Sequence, residues 1–328
     1  MIEQKDYNYK SVAALDAEWL PHRGVSDYWL IQARLYDAAL PLAEYMLDIS
    51  LHKQFAGLGS YFELYCGLGD IIGGIRHQAR RYFSWPAAEN GGIAIDAESI
   101  LCGETLQLLD DGKAMALLLD TGEARLQLRL DKADEVLLGG KCRIELDGQR
   151  LGDQRLLGAA SVNMPCAGRL RLGDKELRLT GAGAFIRSYG RMPLQQARFH
   201  WECFRLYLDD GRKYIFYEFP YAGHRAGIYI DKRNQPQRCD DFSVEYTDYT
   251  EIDEWRFAHT WYLKCDSHFP RQLYFLPLLK DQATLPTTHV MLGVYNYNAQ
   301  RMGYAFAEAM PGARNELKKI PLKLYRDY

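Results

Sequence analysis

The amino-acid sequence predicts an all-β protein of antiparallel sheet, closed as a barrel or packed as a sandwich. Three observations predict it: short runs that alternate apolar and polar residues, Asp-Gly or Gly-Asp dipeptides between those runs, and 23 Tyr among 328 residues. Alternation with period two sends successive side chains to opposite faces of a strand. Asp-Gly supplies the positive φ that a tight hairpin turn demands.

In chain order, the first clear hairpin is Leu106 to Leu109, Asp111-Gly112 and Ala114 to Leu119, extended by Thr121-Gly122 and Ala124 to Leu130 into a meander. Arg143 to Leu146 before Asp147-Gly148 opens a second. Gly168 to Leu172, Gly173-Asp174 and Glu176 to Leu179 make a third with strict alternation. The fourth is His200 to Leu208, Asp209-Asp210-Gly211 and Arg212 to Phe219. Its alternation puts Glu202 on the same, more apolar face as Phe204, Leu206 and Leu208. Short aromatic runs follow at Ala226 to Ile230, Asp241 to Tyr246, His259 to Lys264, Gln272 to Phe275, His289 to Tyr295 and Gly303 to Glu308. Leu42, Tyr45, Met46 and Ile49 fall at helical spacing within a strand-rich context, so periodicity leaves that segment open. Gly57, Gly59, Gly67, Gly69, Gly73, Gly74 and Gly91-Gly92 are expected to form loops and bulges.

Composition bounds the function. Hydrophobic residues at 48% and charged residues at 25% fit a globular core and exclude a disordered or collagen-like chain. A net charge of -3, with no long run of one sign, disfavours sequence-independent nucleic-acid binding. The seven cysteines, at 66, 102, 142, 166, 203, 239 and 265, show no CxxC and no zinc-ligand spacing, which reads as reduced thiols. Met1 to Lys10 lacks the pattern of a signal peptide, and no stretch approaches 18 uncharged apolar residues, so the expectation is a cytoplasmic protein with no transmembrane segment. The eight histidines show no HExxH spacing, there is no GxSxG elbow, and no Lys-Ser/Thr follows Gly67-Leu-Gly69, so no metal, serine-hydrolase or phosphate-loop chemistry is expected.

The segment Gly181-Ala-Gly-Ala-Phe-Ile-Arg-Ser-Tyr-Gly190, then His200-Trp-Glu-Cys-Phe-Arg-Leu-Tyr-Leu-Asp-Asp-Gly211 and Tyr214 to Phe219, resembles the carotenoid 1,2-hydratase (hydroxyneurosporene synthase) and AttH-type lipocalin-like family. His22-Arg23, Asp27-Tyr-Trp29, Asp241-Phe242, Trp261, Gly303-Tyr304 and Glu308 follow the family's order on either side. The resemblance implies two lipocalin-like antiparallel β-barrel domains packed together, residues 1–180 and 181–328, with an apolar cavity near their junction. It also implies action without a cofactor on a hydrophobic small molecule: hydration of an isoprenoid double bond, or cyclisation of a polyene. Where the hydratases carry the acid thought to protonate the alkene, this chain reads Arg187-Ser188-Tyr189-Gly190.

Asp27 and Glu202 are the candidate replacements, because a carboxyl group in an apolar cavity can hold a proton near neutrality. The alternative for each is a salt bridge. Arg187 is expected either to steady a developing oxyanion or to pair with Glu202 across adjacent strands of the second barrel. Tyr189 completes the catalytic candidates, and Trp29, Trp201, Phe204, Tyr217, Tyr295 and Tyr304 are candidate ligand contacts, with barrel core as the alternative. The expected function is a cofactor-free cyclase, isomerase or hydratase of an apolar unsaturated molecule, or a non-enzymatic carrier of one. Oligomeric state and substrate identity stay open.

Overall fold

The computed structural model describes residues 20–21, 26–56, 59–85, 92–132, 135–146, 149–190, 202–219, 224–233, 235–239, 241–252, 255–280 and 288–309. Every regular element among them is a β-strand. The first sheet contains β1 (Ser26–Asp37), β2 (Glu44–Ala56), β3 (Gly59–Asp70), β4 (Ile75–Trp85), β5 (Ile93–Ile95), β6 (Ser99–Cys102), β7 (Leu106–Asp110), β8 (Ala114–Asp120), β9 (Ala124–Asp131), β10 (Glu135–Leu146), β11 (Gln149–Leu172) and β12 (Lys175–Gly190). The second contains β13 (Glu202–Leu208), β14 (Lys213–Phe219), β15 (His224–Ile230), β16 (Pro236–Arg238), β17 (Phe242–Ile252), β18 (Trp255–Cys265), β19 (Phe269–Pro277), β20 (Thr288–Tyr295) and β21 (Arg301–Ala309). The chain divides into two compact units, one built on each sheet.

In the first sheet the strand order is β4-β3-β2-β1-β12-β11-β9-β8-β7-β6-β5, with β10 also paired to β11. Phe62 and Leu64 of β3 nevertheless share one core with Ile93 of β5 and Ile100 of β6. Laid flat at about 4.8 Å per strand, β3 and β6 would stand roughly 40 Å apart, so the sheet curls round into a nearly closed barrel. Leucines dominate the interior, among them Leu35, Leu47, Leu51, Leu117, Leu126 and Leu130. β12 runs unbroken through residues 180 and 181 and pairs with β1 from Leu179 to Gly190. The one bulge in its pairing with β11 falls between Val162 and Met164, where Asn163 takes a φ of 60°.

The second sheet runs β16-β15-β14-β13-β21-β20-β19-β18-β17. Phe216 of β14 and Phe242 of β17 lie six strands apart in that order, yet their ring centroids are 4.5 Å apart. This sheet also curls into a nearly closed barrel.

Two sequence expectations are revised here. Of the open segment, Leu42 lies exposed in a turn while Tyr45, Met46 and Ile49 lie in β2, where every residue from Glu44 to Leu51 is buried. Burial of both faces erases the period-two signature, which is why the helical spacing was as good a fit. Gly67 and Gly69 sit in β3 with continuous register to β2 and β4 rather than in bulges. Gly67 instead makes room for the Tyr65 ring, which an added Cβ would strike.

Candidate functional site

Along β1, the residues Trp29, Ile31, Ala33 and Leu35 all enter the first core, and alternation places Asp27 next on the same face. β2 does the same with Tyr45, Leu47, Ile49 and Leu51, which puts Lys53 inside; β12 sends Phe185 and then Arg187 inward. Register aligns the three strands, with Asp27 opposite Lys53 and Trp29 opposite Arg187. Period-two geometry therefore gathers a carboxylate and two cations at one end of a leucine-rich interior.

The trio is fully enclosed: Asp27 is 0% exposed, Lys53 1% and Arg187 1%. Lys53 Nζ donates to Asp27 Oδ2 at 3.1 Å, and an Arg187 terminal nitrogen donates to Asp27 Oδ1 at 2.6 Å. The same guanidinium donates to the main-chain carbonyls of Leu20 at 3.2 Å and Tyr28 at 3.4 Å. Its central carbon lies 4.1 Å from the Trp29 ring centroid, a cation–π contact, and Trp29 in turn packs on Phe62. Removing charges from water costs several kcal/mol per ion, so such a group persists only where its members satisfy one another.

The opposite face of β1 to β4 holds a second polar layer. Gln32 Nε2 donates to Asp48 Oδ1 at 2.9 Å, and Arg80 donates to Glu63 at 2.7 Å. Arg76 donates to the Tyr65 hydroxyl, whose pKa burial pushes up to about 12.

In the second barrel, Glu202 begins β13 on the same face as Phe204 and is 2% exposed, in a strand buried on both faces. Phe204 is core, packed on Trp261 and Phe275. The Trp261 indole N–H is buried and finds no acceptor among the described residues. On the other face of β13 and β21, Arg205 donates to Glu308 at 3.1 Å, both about 3% exposed at the side chain. Tyr304 stacks on Tyr207 there, at 5.0 Å, facing away from the aromatic core. Tyr295 is half-buried at the end of β20, folded over Gly293. Tyr189 and Tyr217 occupy register positions opposite Asp27 and Cys203, while their side chains and all of Trp201 lie outside the described residues.

The expectation that Arg187 and Glu202 sit on adjacent strands of one barrel is corrected. Arg187 belongs to β12 in the first sheet and Glu202 to β13 in the second, and β12 pairs with β1 and β11. Fifteen residues of sequence separation said nothing about sheet membership. The carboxylate that register brings to Arg187 is Asp27. Lys53 is the residue that sequence reasoning missed; the signal was an apolar face, Tyr45, Leu47, Ile49 and Leu51, ending in a lysine. Also missed was the convergence of Cys265 on the neighbouring pair Cys239 and Asp241, from which sequence spacing kept it apart.

No family model matches the sequence, and no curated protein matches it. Two solved structures are similar in fold. A candidate AttH protein from Nitrosomonas europaea superposes with a TM-score of 0.75 at 10% identity, covering 92% of this chain and 97% of its own. Kievitone hydratase from Nectria haematococca gives a TM-score of 0.68 at 13% identity, over 93% of this chain and 94% of its own. At such identities the likeness establishes the fold: all-β, two antiparallel barrels, of the AttH and hydratase type. Among the described residues no helix is long and apolar enough to cross a membrane.

Proposed function

We propose that this protein is an enzyme that adds water across a double bond of an apolar, unsaturated small molecule, isoprenoid or polyketide-like, using its own side chains without a cofactor. The observation that carries the reading is the enclosed Asp27–Lys53–Arg187 trio inside an otherwise apolar barrel. Hydration needs one group that gives a proton to carbon and one that takes a proton from water. In this reading the Lys53 ammonium is the donor and the Asp27 carboxylate the acceptor. Their 3.1 Å contact then returns the proton from oxygen to nitrogen, so the pair ends each cycle as it began. Arg187 holds Asp27 in place, and the Trp29 face lies where an electron-poor carbon would gain from an aromatic surface. Cyclisation or isomerisation of the same class of molecule uses the same two proton transfers. That the fold is shared with a protein named as a hydratase supports this reading. A carrier would need only apolar walls, and an enclosed ionic trio adds nothing to that role.

The test compares metabolite extracts from cells lacking the gene, cells with the wild type, and cells with Lys53→Met, which leaves Asp27 bonded to Arg187. Expected is a pair of compounds differing by one water, whose ratio depends on the wild type and reverts in Lys53→Met at equal melting temperature and protein level. Identical extracts with and without the gene would remove the enzyme reading. An unchanged ratio in Lys53→Met would remove the Asp27–Lys53 couple.

A further inference from the structure

In the second barrel, two segments distant along the chain, 239–241 and the end of β18, bring two thiols and a carboxylate to one point. Cys239 follows β16 and is fixed by its amide, which donates to the Gly227 carbonyl at 2.9 Å. Gly227 permits that approach, since an added Cβ would overlap the Cys239 carbonyl. Cys265 closes β18, paired with Phe242 and Phe269. Asp241 sits between them just before β17, its Oδ2 accepting from the Ser267 amide at 2.8 Å and its Oδ1 from the Ser267 hydroxyl at 3.0 Å. The two sulfurs are 3.1 Å apart, well beyond a disulfide bond of about 2.05 Å. Asp241 Oδ1 lies 3.7 Å from the Cys239 sulfur and 3.6 Å from that of Cys265.

Those sulfur–oxygen distances match a coordination polyhedron. Around a tetrahedral zinc with bonds of about 2.3 Å to sulfur and about 2.0 to 2.2 Å to oxygen, a sulfur–oxygen edge measures roughly 3.5 Å. A sulfur–sulfur edge measures roughly 3.8 Å, which needs a modest opening of the present contact. The donor set is that of a thiophilic metal, and the two thiolates and carboxylate it can form would be stabilised together by a cation.

We propose that Cys239, Cys265 and Asp241 bind one thiophilic divalent metal ion of the zinc type, with solvent in the fourth position. Both cysteines are buried while Asp241 and Ser267 are exposed, so one side of the site is open to water. On binding, both thiols release their protons to solvent, and the two thiolates and the carboxylate become the ligands of one ion. Because the ligands join two segments of the folded chain, the ion also stabilises the folded protein.

The full-length protein, reduced and freed of metal, is titrated anaerobically with Co2+. Expected are one equivalent bound, a thiolate-to-metal charge-transfer band, release of about two protons per ion, displacement by Zn2+, and a higher melting temperature. Cys265→Ser should abolish the band. Asp241→Asn, a surface change that spares both thiols and the fold, should weaken binding by about tenfold or more. Absence of uptake by the folded, reduced protein would overturn the proposal. Uptake unchanged in both variants would overturn it equally, as would a Cys239–Cys265 disulfide whose reduced form takes no metal.

Discussion

The two barrels share an architecture and solve their interiors differently. The first is lined by leucine and encloses Asp27, Lys53 and Arg187 at one end. The second is filled by interlocking rings, Phe204, Tyr214, Phe216, Phe242, Trp261 and Phe275, with Glu202 at the start of the β13 core face, and keeps its Arg205–Glu308 pair on the opposite face of the sheet. Aliphatic side chains offer a charge nothing, so the trio in the first barrel depends on partners at matched register positions and on the Trp29 face. Aromatic rings contribute edge-to-face contacts of their own, as between Phe204 and Trp261 at 79°, and their polar atoms must still find partners. The first barrel holds charge inside because neighbouring strands deliver complementary groups to the same level.

The largest expected effect tests that dependence. Asp27→Asn removes the carboxylate that two buried cations contact and should lower stability by about 3 to 5 kcal/mol. Glu308→Gln keeps an acceptor oxygen for Arg205 and should cost less, about 1 to 3 kcal/mol. Urea unfolding of the two variants measures both, and an equal or reversed order would break the contrast between the barrels.

An alkaline titration sharpens the contrast further. Burial pushes the Cys102 thiol of the first barrel up to about 12, from 9.0 in the unfolded chain. The folded state therefore holds that proton longer, and its contribution is full below pH 9 and lost as pH climbs towards 12. Burial pushes the Lys213 ammonium of the second barrel down to about 8, against 10.5 unfolded, with Asp231 opposing. Here the unfolded state binds the extra proton between those values, so stability rises with pH from about 8. Each slope is at most about 1.4 kcal/mol per pH unit. Unfolding curves from pH 7.5 upward should show the rise flattened in Lys213→Met and the later fall reduced in Cys102→Ala. The same slopes in both variants as in the wild type would show that neither group is responsible.

The smallest effect is expected at Trp261. Trp261→Phe trims one ring of the core while removing a buried N–H that has no acceptor among the described residues. These oppose, and the net change in melting free energy should stay within about 1 kcal/mol. A loss of several kcal/mol would place an acceptor on that nitrogen.

How much was legible follows from the range of each signal. The turns were local and could be read directly: Gly112, Gly122, Gly173 and Gly211 take φ of 80°, 88°, 56° and 91°, and the side chains of Asp110 and Asp120 accept from the amides of Gly112 and Gly122. The Asp147-Gly148 turn lies outside the described residues. Alternation likewise placed Glu202 with Phe204. Of the candidate site, Asp27, Arg187 and Trp29 stood out in the sequence, but their grouping was not visible there, and Lys53 did not stand out at all.

The sequence by itself determined that the chain is all-β, where its hairpins turn and which face each motif strand presents, because φ preferences and period-two alternation act over a few residues. Only the tertiary structure decided which strands became neighbours. Pairing β12 with β1 brought Arg187 to Asp27, and pairing β17 with β18 brought Cys265 beside Cys239 and Asp241. Such partnerships are fixed by the closure of whole sheets around a shared core, a balance summed over all the buried side chains, and no local spacing encodes it.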